Sequence, residues 1–326
     1  MLTTLATAEE LALLKGALEA LDAASFRALF DPSAPRERIP LPPPAIARPL
    51  RAFGLVDADR AGLVGRHRIR RIGGRFYVME LGVGELEYLQ DVWPETDALL
   101  AELDAAPPGR LLDLGTGSGV VAVEAAARGH RVIATDLYET AIVLARFNAR
   151  LNRLDGAIEL REGHLFEPVA GERFDRVLAN PHYGRADDQL RLEVLRAAPA
   201  HLRPDGELVL ATALEWVAGG ERTAPLAPLA VEHVLAQLAG DGLAIAVEPL
   251  DAHYKRDWFA AARSDEPIAG LTSRHRFVVR VTRPAVPRAG ILHVRRPEEA
   301  ALNVRDFVPL ARVVRGGAHA VVTSAA

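Results

Sequence analysis

Residues 111–119 read LLDLGTGSG, and a second acid, Asp136, closes a further apolar run, RVIATD. Two short apolar runs that each end at an acidic or glycine-rich turn, each followed by a helical pattern, describe consecutive βα units of a parallel sheet. Gly115, Gly117 and Gly119 remove Cβ atoms where the backbone must turn sharply, and they let a ligand lie against the main chain. With Asp113 and Asp136 flanking the turn, the pattern predicts a nucleoside seated across the carboxyl ends of both strands. A bare βα turn without ligand is the competing reading. A dinucleotide loop of the form G-x-G-x-x-G needs its third glycine at position 120, where the chain carries Val120. A P-loop is excluded, because no Gly-Lys-Ser/Thr follows and the only lysines are Lys15 and Lys255.

A second group of candidate residues lies further along, where the apolar run of FDRVLANPHYG (174–184) breaks into Asn180-Pro181-His182-Tyr183. Asn-Pro after a strand is a common turn signal. Taken together, Asp113, Gly115, Gly117 and Gly119 resemble the cofactor loop of class I S-adenosylmethionine (SAM)-dependent methyltransferases. Asn180 to Tyr183 resembles the Asn-Pro-Pro-Tyr/Phe motif of members that modify nitrogen in planar groups, such as the release-factor glutamine and ribosomal RNA guanine methyltransferases.

That resemblance implies SAM as cofactor and a role for each matching residue. Asp113 would lie near the amino group of the methionine portion, and Asp136, with Leu137 beside it, would accept both ribose hydroxyls. Many members carry an acid that receives the adenine amino group; here the position is His164, followed by Leu165, so the base would be held by main chain and apolar packing. The Asn180 side-chain oxygen and the Pro181 carbonyl would accept the two N–H bonds of the target nitrogen. Such a nitrogen is a poor nucleophile because its lone pair is delocalised, and fixing both hydrogens aims that lone pair at the methyl while Tyr183 stacks on the flat group. His182 departs from the motif by replacing its second proline, and it stands open between general base, substrate contact and turn residue. The segment YLQDVWPETDALLAEL (88–103) resembles the Pro-Glu-Thr segment of the release-factor enzymes, which would start a helix at Glu95 and Thr96 beside the cofactor; an ordinary helix start is the other reading.

The elements that must position these residues make an α/β fold, a Rossmann-like seven-stranded class I methyltransferase sheet with a small N-terminal helical module. Residues 1–80 hold helical spacing in TAEELALLKGALEALDAASFRALF, a proline-rich stretch, a further helix from PAIARPLRAFGLVDAD, and a hairpin turning at Gly73-Gly74, which are the ingredients of a winged helix serving substrate recognition or dimerisation. Residues 81–283 form the catalytic domain, with GELVLATALE, LAIAVEPL and RHRFVVRVTR as its last strands. Residues 284–326 are too short for a core of their own and are expected to pack on that domain. Tyr254, Trp258 and Phe259 are candidates for an acceptor pocket, although aromatics at helical spacing more often serve a core.

Composition narrows the function. The 326 residues are 49% hydrophobic and 25% charged, ordinary for a globular protein, and the net charge of -4 gives no general attraction to nucleic acid. Arg66, Arg68, Arg70, Arg71 and Arg75 form one dense basic cluster on the expected hairpin, a phosphate contact or a solvated wing. The absence of cysteine rules out disulfides and thiolate metal sites and fits a reducing cytoplasm. The ten histidines show no paired ligand spacing, so no metal is expected. No apolar run reaches membrane-spanning length, so no membrane partner is expected. The function expected is methyl transfer from SAM to an acceptor nitrogen of a protein amide or nucleic-acid base, by a monomer or homodimer. A small-molecule methyltransferase of secondary metabolism, with oxygen as acceptor, and a catalytically silent SAM-fold binding protein are the alternatives.

Overall fold

The N-terminal helices begin where side chains can accept the orphan amides of a first turn. Thr7 and Glu10 form a reciprocal capping box, with the Glu10 amide donating to Thr7 Oγ1 at 3.2 Å and the Thr7 amide to Glu10 Oε2 at 2.7 Å. This box opens α1 (Ala8–Glu19); Asp22 accepts the Ser25 amide at 2.8 Å to open α2 (Ala23–Phe30). A third helix, α3 (Pro44–Ala52), starts on proline, where no amide is needed.

Four short strands follow: β1 (Val56–Asp59), β2 (Gly62–Gly65), β3 (Arg68–Ile72) and β4 (Arg75–Met79). Then come α4 (Pro94–Leu103), β5 (Arg110–Leu114), α5 (Val120–Ala127), β6 (Arg131–Asp136), α6 (Glu139–Leu151) and β7 (Ile158–Glu162). The remaining elements are β8 (Phe174–Ala179), α7 (Asp188–Ala197), β9 (Leu202–Val217), β10 (Ala244–Pro249), β11 (Leu271–Thr282), β12 (Ile291–Val294) and β13 (Val321–Thr323). This computed structural model describes residues 6–31, 37–79, 94–104, 107–181, 188–217, 234–235, 237–249, 271–284, 291–294 and 321–323. Among them, no helix is long and apolar enough to cross a membrane.

The chain divides into two compact units, Met1–Trp93 with Leu103–Pro168, and Pro94–Glu102 with Val169–Ala326. In the first unit β5, β6 and β7 pair in parallel, with β6 in the middle. The hairpin expected at Gly73-Gly74 is β3–β4, with those glycines at φ 53° and 78°. The helix expected over 44–59 stops at Ala52, with Gly54 turning the chain at φ 66°, and its expected last four residues, VDAD, instead form β1 of a hairpin with β2; an isolated bridge from Ile39 to Leu63 flanks it. Leu14, Leu18, Leu29, Phe30, Leu50, Phe76 and Val78 share one buried cluster with Leu144, Phe147 and Leu151 of α6. The N-terminal elements therefore bury their apolar faces against the helix that follows β6.

Polar contacts fix the same arrangement. Asn148 of α6 accepts the Val78 amide at 2.9 Å and donates to the Val78 carbonyl at 2.9 Å. One turn on, Asn152 accepts the Phe76 amide at 3.2 Å and donates to the Phe76 carbonyl at 2.8 Å. On the neighbouring helix α5, buried Glu124 accepts from Tyr77 Oη at 2.6 Å, from Arg75 at 3.2 Å and from Arg128 at 2.7 Å. Burial, reinforced by the hydrogen bond to Glu124, pushes the Tyr77 phenol far above its ordinary range, so it remains a donor. Arg71 lies over the Phe76 ring at 5.5 Å and Arg66 faces Asp57 at 3.6 Å, so at least three arginines of the basic cluster are engaged within the protein.

In the second unit β8 and β9 are parallel, and β11 runs antiparallel between β9 and β10. Two strands beyond the expected seven extend the edge at β10 in parallel, β12 pairing with β10 and β13 with β12, so that β10 is not left bare. Arg176 of β8, buried, reaches Glu207 at 3.0 Å and Glu102 of α4 at 3.4 Å, and Arg280 of β11 also grips Glu102. Burial opposes ionisation of Glu102, but the two guanidinium groups outweigh it and hold its carboxyl below the usual range.

Replacing Tyr77 by Phe deletes one hydrogen bond to a buried carboxylate while leaving the ring packed. We expect unfolding free energy to fall by about 1.5 to 3 kcal/mol, read as a lower denaturant midpoint at unchanged slope. An unaltered midpoint in the Tyr77→Phe protein would mean that the bond contributes nothing.

Candidate functional site

Between β5 and α5 the main chain passes through the left-handed region three times, with φ of 74° at Gly115, 55° at Gly117 and 81° at Gly119. Side chains elsewhere must therefore satisfy the turn. The amides of Gly115 and Thr116 both donate to the Thr135 carbonyl on β6 at 2.9 Å. Gly119 ends the turn as the N-cap of α5 but has no side chain to cap with. Asp113 does this from across the turn. Its Oδ2 accepts the Ala122 amide at 3.0 Å and the Thr116 hydroxyl at 2.6 Å.

Asp136, at the end of β6, accepts the Gly117 amide at 2.9 Å through Oδ2 and the Tyr138 amide at 3.0 Å through Oδ1. Its main-chain carbonyl accepts the Gly163 amide at 2.9 Å, which ties the loop after β7 to the same place. In that loop Leu165 sits at φ 46°, unusual for a branched side chain, and the Thr135 hydroxyl lies 3.4 Å from its carbonyl. Leu137 and Tyr138, next to the acid, are left 51% and 42% exposed, an apolar surface beside a carboxylate.

The structure thus brings Asp113, Gly115, Gly117, Gly119, Asp136, Leu137, His164 and Leu165 together within the first unit. Asn180 and Pro181 follow β8 in the second unit, between buried Ala179 and the residues beyond, and Pro181 is itself buried. His182, Tyr183, Tyr254, Trp258 and Phe259 lie outside the described residues. Glu95 and Thr96 start α4, as expected, and both are buried. Among the described residues no cluster of His, Asp or Glu has the makings of a metal site. Sequence reasoning missed Thr116 and Asn148. Thr116 had a signal, a hydroxyl inside a glycine turn; Asn148, which donates to the Ser118 carbonyl at 2.8 Å, resembled any polar residue of an amphipathic helix.

Comparison with known proteins places this arrangement. The profile of the methyltransferase small domain matches residues 90–215. The release factor glutamine methyltransferase of Cereibacter sphaeroides is 33% identical over 200 residues, covering 52% of this chain and 68% of that protein. The chain belongs to the class I SAM-dependent N-methyltransferases. The release factor glutamine methyltransferase of Xylella fastidiosa is 34% identical over 183 residues, covering 48% of this chain and 66% of that protein. The matched stretch is thus about two thirds of the length of these relatives. Among solved structures, a SAM-dependent methyltransferase from Agrobacterium tumefaciens aligns over 67% of this chain and 71% of its own, with a TM-score of 0.46 and 20% identity.

The methyl donor of this methyltransferase is SAM, and the first unit fits it on chemical grounds. A Cβ built on Gly115 meets no atom within 4 Å, so the turn opens to free space there. Gly119 is the opposite, since its Cβ would stand 2.9 Å from Ala145 of α6. The Asp136 carboxylate takes the Gly117 amide on Oδ2 and the Tyr138 amide on Oδ1, with the Leu137 amide also acting on it, and its four lone-pair sites leave capacity for hydroxyl donors. Asp113 uses only Oδ2 for its two bonds among the described residues, which leaves Oδ1 for a cationic amino group.

Burial, with a smaller contribution from the charge of Asp136, raises the Asp113 carboxyl from its ordinary 3.8 to about 7, against the bonds from Thr116 and Ala122. Burial likewise raises Asp136, opposed by amides of Tyr138, Gly117 and Leu137. The ligand-free folded protein keeps the Asp113 proton that the unfolded chain releases near 3.8, so the linked stability is complete below that pH and is lost as pH rises to about 7. A cation beside Asp113 favours the ionised form, so SAM binding must expel that proton. SAM affinity should therefore rise by up to about tenfold per pH unit below the raised pKa. Asp113→Asn, which keeps both accepted bonds, should bind SAM more weakly and without this slope. Calorimetric titrations across that pH range decide it, and a flat wild-type profile would remove Asp113 from the amino-group position.

Proposed function

We propose that this enzyme methylates the side-chain amide nitrogen of a glutamine in a protein partner, and that it does so in the cytoplasm, the compartment of the translation components named in its relatives. The observation that carries this reading is Asn180-Pro181 placed directly past β8. A residue at that point has an amide oxygen followed by a proline carbonyl, two acceptors in sequence for the two N–H bonds of a primary amide. The curated relatives supply the choice of amide over base, since both are named for glutamine methylation.

Bound SAM supplies a methyl on positively charged sulfur, open to attack by a lone pair. The chain's contribution is alignment. Asp113 would hold the methionine amino group, Asp136 the ribose diol, and Leu137 and Leu165 would give the adenine an apolar surface. Asn180 and Pro181 would accept both amide hydrogens, which fixes the amide plane and so the direction in which the nitrogen presents its lone pair. Transfer would join the methyl to nitrogen as sulfur leaves with the C–S bond electrons as a neutral thioether, and the methylated amide would lose one proton to solvent. No base strong enough to ionise an amide is required, because the proton becomes acidic only as the bond forms. His182 accordingly serves as a turn and contact residue in this reading.

Incubation with isotopically labelled SAM and purified release factors or ribosomal proteins should place one methyl on a glutamine, located by peptide mass spectrometry. Label confined to RNA or to small molecules would overturn the glutamine assignment. Asn180→Ala should lower turnover by on the order of a hundredfold, the scale of a misplaced reacting group, with SAM affinity little changed. His182→Pro should retain activity, whereas its loss with SAM binding intact would make the imidazole a base or a substrate contact.

A further inference from the structure

Asn148 occupies a position that none of the chemistry above uses. It is fully buried on α6, and its single carboxamide makes three bonds: it accepts the Val78 amide, and its Nδ2 donates both to the Val78 carbonyl at 2.9 Å and to the Ser118 carbonyl at 2.8 Å. Asn152, four residues on, repeats the strand contact at Phe76 but spends its remaining donor on the Asn148 carbonyl at 2.9 Å. Four residues of α-helix rise about 6 Å, and two residues of strand span about 6.7 Å. The two asparagines therefore match alternate residues of β4 and stand in for a paired strand along its outer edge.

The two differ in one respect. Ser118 lies between Gly117, whose amide is given to Asp136, and Gly119, which caps α5. Holding the Ser118 carbonyl fixes the peptide plane between Ser118 and Gly119, and through the freely rotating glycines it limits which way the Gly117 amide can point. We propose that Asn148 is a positioning residue for the cofactor loop, joining the β3–β4 hairpin to the turn that receives SAM, while Asn152 serves the hairpin alone. The proposal rests on the assignment of this turn as the SAM site.

Asn148→Asp and Asn152→Asp each turn a donor into an acceptor facing a carbonyl, so both should lower the melting temperature. Only Asn148→Asp should weaken SAM binding, by about tenfold or more, the scale of one buried polar group left unmatched. It should also raise the KM for SAM with kcat little changed, whereas Asn152→Asp keeps wild-type SAM affinity. Where the aspartates fail to fold, Asn148→Ser and Asn152→Ser give the same comparison, since serine is too short to span both carbonyls. Equal SAM affinity in the two variants overturns the proposal while leaving the cofactor site in place. Absence of binding heat with the wild-type protein overturns both.

Discussion

A turn that passes through three left-handed glycines holds itself poorly, because those residues have no side chains with which to satisfy its amides and carbonyls. Apart from the Gly119 amide, which meets the Thr116 carbonyl inside the turn, the polar contacts described between β5 and α5 come from neighbouring elements, and much of the first unit can be understood as supplying them. Thr135 supplies a carbonyl from β6, Asp113 caps α5 from β5, Asp136 takes the Gly117 amide, and Asn148 reaches in from α6. An unmatched buried polar group costs more than a matched one contributes, so these contacts fix the turn more by penalty than by attraction. The ligand-free loop is thereby already shaped, with little ordering left for a cofactor to do.

The same asymmetry governs the buried charges. Glu124 in the first unit and Glu102 in the second are each surrounded by two arginines, and each ties elements distant in sequence. Isolated exposed ion pairs of the Arg66–Asp57 kind contribute little, but a buried carboxylate that has lost a partner is strongly unfavourable. The abundance of arginine suits this use, because one guanidinium can serve two acceptors at once, as Arg128 does with Asp104 and Glu124.

What was legible in the chain was what has a local cause. The glycine turn, the two acids at strand ends, the Gly73-Gly74 hairpin and the alternation of β strands with helices all follow from neighbours in sequence. Asn148 and Asn152 were not legible, because ARFNARLN reads as the polar side of any helix and their partners lie on β4. Glu124 left a faint trace as the one acid in the otherwise apolar VVAVEAAA. The capping of α5 by Asp113 could not be foreseen, since the amide it meets belongs to a residue beyond the turn. The hairpin β1–β2 escaped because VDAD reads as a continuation of the helical stretch PAIARPLRAFGL, while the residue that flanks the pairing, Ile39, lies across a proline-rich stretch.

The close approach of Gly119 to Ala145 has a consequence for how this sequence can drift over generations. Any side chain at 119 would strike α6, and any larger residue at 145 would press on the turn from the other side. The two sites behave as one quantity of space, of which almost none is spare. Homologous sequences should therefore show these positions varying together or not at all, while the surfaces of α5 and α6 away from the contact change freely.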